Sequence, residues 1–115
     1  MISQRYRFHG HSSLKYVFNN GQQARGRELS IKYVTNNRRR YSRVAIVISK
    51  KVIKHAVDRN RARRRIYEIM RSYLPKFNQT VDVSVIVYQD KVLTMPHSEL
   101  AAEINKCLTK LDIIK

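Results

Sequence analysis

The sequence predicts an α+β fold of one domain, a mixed sheet with its helices packed largely on one side. Three observations lead there. Val44–Ser49 and Val81–Tyr88 are nearly continuous aliphatic runs, the pattern of strands buried on both faces, and the first is expected to be central in its sheet. A long basic stretch of helical periodicity separates them, so the two strands should run parallel with a crossover between them. Leu29–Val34 instead alternates as a half-buried strand does, and apolar stripes at helical spacing stand near both ends of the chain.

Taken in order, residues 1–10 read as a flexible basic arm in which Arg5 and Arg7 flank Tyr6, without the apolar region of a secretory signal. Ser12 supplies an N-cap, Leu14, Val17 and Phe18 stand at i, i+3 and i+4, and Gly21 offers the left-handed residue that ends a short helix. The pattern of Gln22–Arg27 decides nothing. Within Leu29–Val34, Leu29, Ile31 and Tyr33 fall on the core side and Ser30, Lys32 and Val34 on the other. Asn36 and Asn37 signal a turn, and Arg38, Arg39 and Arg40 behind it read as solvated loop charge.

Residues 50–71 organise the rest. At about 100° per residue, Ala62, Ile66, Ile69, Met70 and Tyr73 gather on one arc, with Asn60, Arg61, Arg64, Glu68 and Arg71 on the opposite one. Arg59 and Arg63 project near the edge of the apolar arc. Five arginines within seven residues repel one another, and only Asp58 and Glu68 are close enough along the helix to compensate. Such crowding persists where a polyanion relieves it, and the planar fork of arginine matches phosphate oxygens two at a time. Lys54 and Arg71 read as solvated, and Asn60 reads equally as a contact to the polyanion or a local bond to helix backbone. The helix should end near Leu74, because Pro75 disfavours helical geometry in the residue before it. Beyond the late strand, Ser98 is the expected N-cap of a last helix whose packing stripe is Leu100, Ile104, Cys107, Leu108 and Leu111.

Composition bounds the function. With 24 Lys and Arg against 8 Asp and Glu, the 115 residues carry a formal charge of +16, yet 43% of them are hydrophobic, too many for a disordered basic tail. A folded basic domain of this size points to nucleic acid first and an acidic membrane surface second. No apolar span or strongly amphipathic apolar face supports the membrane reading. Cys107 is alone and reads as a small buried side chain, which leaves no intramolecular disulfide and fits a reducing cytoplasm.

Catalytic chemistry is not legible in the side chains. Glu28, Asp58, Glu68, Asp82, Asp90, Glu99, Glu103 and Asp112 are scattered, without the close spacing of a two-metal nuclease. His9 and His11 sit on the arm and His55 and His97 stand singly, so no zinc spacing appears. Glycine occurs only at 10, 21 and 26, which excludes a P-loop and a dinucleotide fingerprint. The residues thus read as a nucleic-acid-binding domain with no catalytic or metal-ligating group of its own.

One resemblance extends this. Val44 Ala45 Ile46 Val47 Ile48 Ser49 Lys50 Lys51, then Ala56 Val57, then Arg59 Asn60 Arg61 Ala62 Arg63 Arg64, resembles the signature of the bacterial ribonuclease P protein subunit: a strand ending in Ser/Ala-Lys-Lys, a short linker and the arginine-asparagine-arginine helix. The match is gapless over roughly a quarter of the chain, with weaker agreement on either side. The resemblance implies a short strand within Gln22–Arg27, hence the order α-β-β-β-α-β-α, and an unusual left-handed crossover where general rules favour a right-handed one. It also implies that an RNA subunit binds Mg²⁺ and cleaves precursor tRNA in the cytoplasm, while the protein docks beside that RNA and holds the 5′ leader in a cleft.

Carried over by position, the resemblance implies RNA contacts at Lys50, Lys51, Arg59, Asn60, Arg61, Arg63 and Arg64, with Arg65 at a place the motif leaves open. It implies a leader cleft at Phe18, at Lys32 or Tyr33 according to strand register, and at Tyr88, which replaces a commonly basic residue. Leu14 stands where the family often has a second Phe. Tyr67 stands where the family usually has a further Arg, so a phosphate contact there is lost or replaced by stacking; Glu68 keeps the family's acidic residue. The expected partners are ribonuclease P RNA and precursor tRNA, with Mg²⁺ at the RNA and substrate. The competing readings are a ribosomal-type RNA-binding protein without nuclease association and, disfavoured by the scattered carboxylates, a protein-only nuclease.

Overall fold

The computed structural model describes residues 16–17, 19–35 and 41–115. The basic arm, Ser12, Leu14, Phe18 and Arg38, Arg39 and Arg40 lie outside the described residues. Four strands form one sheet: β1 (Gln22–Arg25), β2 (Leu29–Thr35), β3 (Arg43–Val47) and β4 (Val81–Val87), in the order β1-β2-β4-β3. β3 and β4 are parallel, as the helical stretch between them requires, and the other neighbours are antiparallel.

Alternation sorts the two faces. Leu29, Ile31 and Tyr33 of β2, Val44 and Ile46 of β3, and Val81, Val83, Val85 and Val87 of β4 join one buried cluster with Ala24 of β1. The central helix, Ala56–Tyr73, and the C-terminal helix, His97–Leu111, close over that face with Ala62, Ile66, Ile69, Met70, Leu100, Ile104, Cys107 and Leu108. Tyr73 is half-buried at the rim of this cluster, where its hydroxyl accepts a bond from Asn105 Nδ2 at 2.8 Å and joins the two helices. On the other face Val17, which is helical, packs with Val34 and Ala45.

Four expectations are corrected. Val44–Ser49 is not a central strand: β3 lies at the edge, and its two-faced apolar character follows from the central helix on one side and Val17 on the other. Gly21 is not left-handed, since no described glycine has positive φ. It is required because a Cβ there would lie 2.5 Å from the Val17 carbonyl oxygen and 3.0 Å from that of Tyr33. The central helix does end at Tyr73, yet Leu74 keeps helical angles (φ −51°, ψ −47°) and donates its N–H to the Arg71 carbonyl. What stops the α-helix is the missing N–H of Pro75, and the chain tightens into a 3₁₀ turn over Leu74–Lys76. Finally, Pro96 rather than Ser98 precedes the first helical residue, His97, and its carbonyl accepts the N–H groups of Glu99 and Leu100.

The last helix closes on Asp112 in the left-handed conformation (φ 56°), a position Asp tolerates better than most residues. This turns the tail back along the loop after the central helix. Asn78 N–H donates to Ile113 O at 2.9 Å and Lys115 N–H to Lys76 O at 2.7 Å, while Phe77 and Ile114 form an antiparallel bridge.

Candidate nucleic-acid interface

The central helix separates its arginines by role. Asn60, Arg61, Arg64, Glu68 and Arg71 are exposed, opposite the buried arc. Arg71 approaches Glu68 at 3.8 Å, an exposed pair of small energetic weight. Arg63, half-buried, donates from Nη1 to Asn60 Oδ1 at 3.1 Å, so the Asn60 side chain orients a neighbouring guanidinium. Arg59 reaches back from the first turns: its Nη1 donates to Ile53 O at 3.0 Å and to Lys54 O at 2.9 Å. That brace fixes the segment leading from β3, where Ser49 O accepts the N–H groups of Val52 and Ile53 and where Lys50 and Lys51 are exposed. The helix starts after His55 with no side-chain cap.

Two expected RNA contacts, Arg59 and Arg65, bond to their own chain. Arg65, grouped on sequence with the RNA-facing residues, is turned onto its own chain: Nη1 donates to Val92 O at 2.7 Å and Nη2 to Met95 O. It braces the 3₁₀ turn Asp90–Leu93 against the helix, because at the border between the two arcs its fork reaches carbonyls that no side chain caps. Tyr67, 7% exposed, belongs to the core cluster, so neither a phosphate contact nor base stacking is offered there.

The second candidate surface is the β1 side of the sheet face on which Val17 packs, where Gln23 and Arg25 are exposed while Ser30, Ala45 and Ser84 are buried. Register aligns Gln23, Lys32, Ser84 and Ala45 in one row and Arg25, Ser30, Ile86 and Val47 in the next. Lys32 is half-buried on this face; Tyr33 is directed into the core on the other, 8% exposed with Leu29 and Ile31, and is thereby removed from the cleft. Tyr88, 36% exposed just beyond β4, folds over the row: its hydroxyl pairs with Ser30 Oγ at 2.8 Å and receives Gln23 Nε2 at 3.5 Å, while the Arg25 guanidinium stacks 5.0 Å from its ring centre. Arg25 and Gln23 escaped the sequence reading because the pattern of β1 decides nothing. Once β1 is known to be a strand, the shared parity of Gln23 and Arg25 is the signal that identifies them. An extended single strand laid on this face meets cationic groups for its phosphates and a ring for a base.

Among the described residues, no group of three or more His, Cys, Asp or Glu is placed to hold a metal ion, and no helix is long and apolar enough to cross a membrane. The exposed cations of the central helix can bind and orient a polyanion.

Comparison with known proteins follows the same line. The family described as Ribonuclease P matches residues 2–112. The ribonuclease P protein component of Pseudanabaena sp. (strain PCC 6903) is 30% identical over 115 residues, covering 99% of this chain and 97% of its own length. That of Blochmanniella floridana is 27% identical, covering 91% and 86%. Among solved structures, the Staphylococcus aureus RNase P protein superposes with a TM-score of 0.83 at 20% identity over 96% of this chain and 98% of that one. The Thermotoga maritima RNase P protein gives 0.77 at 20% identity over 90% and 96%. At such identities the structural likeness speaks for the fold alone.

Proposed function

This chain belongs to the ribonuclease P protein family, and from that membership we infer that it is the protein subunit of the ribonucleoprotein that removes the 5′ leader from precursor tRNA. It binds the ribonuclease P RNA and the precursor; the bond is broken by the RNA, with Mg²⁺ acting at RNA and substrate. The observation that carries this reading is the division within the central helix. Asn60, Arg61 and Arg64 face solvent and Arg63 stands at their edge, whereas Arg59 and Arg65 hold the scaffold that presents them.

On this reading Lys50, Lys51, Asn60, Arg61, Arg63 and Arg64 dock against the catalytic RNA, and the surface at Lys32, Arg25 and Tyr88 takes the leader. We place the whole assembly in the cytoplasm. Adding the protein to a bacterial ribonuclease P RNA at low Mg²⁺ tests the reading: precursor-tRNA cleavage should be restored. No stimulation over RNA alone, together with equal affinity for precursor and mature tRNA, would instead indicate a ribosomal-type binding protein.

A further inference from the structure

Glu103 stands on the C-terminal helix, which packs on the face of the sheet opposite the proposed leader site. Its Oε1 accepts the backbone N–H of Glu28 at 2.9 Å, and the carbonyl of that same residue accepts Tyr88 N–H at 2.7 Å and Gln89 N–H at 3.3 Å. The Glu28 backbone is thus tied at one end to the last helix and at the other to the segment that carries Tyr88. Gly26 makes the approach feasible. Its N–H donates to Leu29 O at 2.8 Å to close the β1–β2 turn, and a Cβ in its place would lie 2.5 Å from Glu103 Oε1.

The Glu103 carboxyl borders a cavity of ≈ 540 Å³ between that turn and the C-terminal helix. From the turn the cavity is lined by Arg27 and the buried Glu28, with Arg25 of β1 carrying its guanidinium away onto Tyr88; from the C-terminal helix it is lined by Glu99, Lys106, Cys107 and Lys110. Burial, and next the neighbouring Glu28 carboxyl, push the Glu103 pKa upward. Glu103 Oε2 is buried without a hydrogen-bond partner, while the backbone N–H groups of Glu28 and Arg27 act against the upward shift.

We propose that Glu103 is a positioning residue for the leader site: by holding the Glu28 backbone, it sets where Tyr88 and the Arg25 stacked on it meet single-stranded RNA. The inference rests on the functional reading above. Nothing requires Glu103 to touch RNA; it acts through one hydrogen-bonded peptide.

The test uses the reconstituted holoenzyme and two precursor tRNAs, one with a full leader and one with the leader trimmed short. Glu103→Ala should weaken affinity for the full-leader substrate about fivefold, the factor matching one net hydrogen bond, and leave the trimmed substrate as in the wild type. Glu103→Gln, whose amide oxygen still accepts the Glu28 N–H, should retain the leader increment. Unchanged leader dependence in Glu103→Ala, or equal losses on both substrates, would overturn the proposal.

Where Glu103→Ala does not fold, an NMR titration of the full chain decides. In the wild type the Tyr88 amide signal should move as Glu103 ionises, above the ordinary carboxylate range, and in Glu103→Gln that transition should vanish. A Tyr88 signal indifferent to pH would refute the coupling. Absence of leader preference in the wild-type holoenzyme is a different failure: it overturns the functional reading, while the titration still decides the positioning.

Discussion

Arg43 grips Asp82 with two parallel bonds across β3 and β4, Nε to Oδ1 at 2.9 Å and Nη2 to Oδ2 at 2.8 Å, with side chains only 13% and 7% exposed. The two residues are register partners at one end of the parallel pair, so the fork closes the ladder there. Replacing Arg43 with Ala removes both bonds to a buried carboxylate and should cost about 1.5 to 3 kcal/mol of stability, read from urea unfolding. Arg43→Lys should recover only part of that, because a single ammonium cannot reproduce the fork.

Arg61 and Arg64 should dominate the salt dependence of binding to ribonuclease P RNA. If each meets one phosphate as proposed, their joint replacement by Ala should lower the log–log salt slope by about 1.4 to 1.8. Arg71→Ala, already beside Glu68, should change it less. Fluorescence anisotropy across a KCl series measures both.

Arg65→Ala should behave in the opposite sense. Losing its bonds to Val92 and Met95 carbonyls should cost about 1 to 3 kcal/mol in thermal or urea unfolding, with a smaller effect on the RNA salt slope than Arg61 and Arg64 have. A loss of salt slope equal to that of Arg61→Ala, with unaltered stability, would return Arg65 to the RNA-facing set.

Glu103 predicts a pH dependence of stability whose sign follows from its raised pKa. The folded chain holds the Glu103 proton more tightly than the unfolded chain does. Its contribution is therefore complete below the ordinary carboxylate range and is lost as the pH rises through the raised value. Glu103→Gln, which mimics the protonated form, should flatten the alkaline side of that profile and raise the melting temperature there. Melting curves collected from mildly acidic to mildly alkaline buffer provide the check.

Much of this was legible in residue order. Period-two alternation put Leu29, Ile31 and Tyr33 on one face and Lys32 on the other, and the arcs of the central helix matched burial at Ala62, Ile66, Ile69 and Met70. What escaped depends on partners distant in sequence. Nothing local marks Arg65 as a brace, since Val92 and Met95 lie on another element. An apolar run does not reveal whether its strand is central or at an edge, which is why β3 was misplaced: a helix on one side and Val17 on the other cover it as fully as neighbouring strands would cover a central one. The Tyr88 platform was only partly visible, because Tyr88 is recognisable alone but Ser30 and Arg25 become its neighbours through strand pairing.

β4 lies between β2 and β3 and is made after both. As the chain leaves the ribosome, β2 has only β1 beside it and β3 has no strand at all until Val81–Val87 emerges. The cationic helix is therefore synthesised before the surface that supports it can close. Newly made chains must pass through a stage with open strand edges and unshielded positive charge, and in this protein acquisition of the native shape should be a late, concerted event.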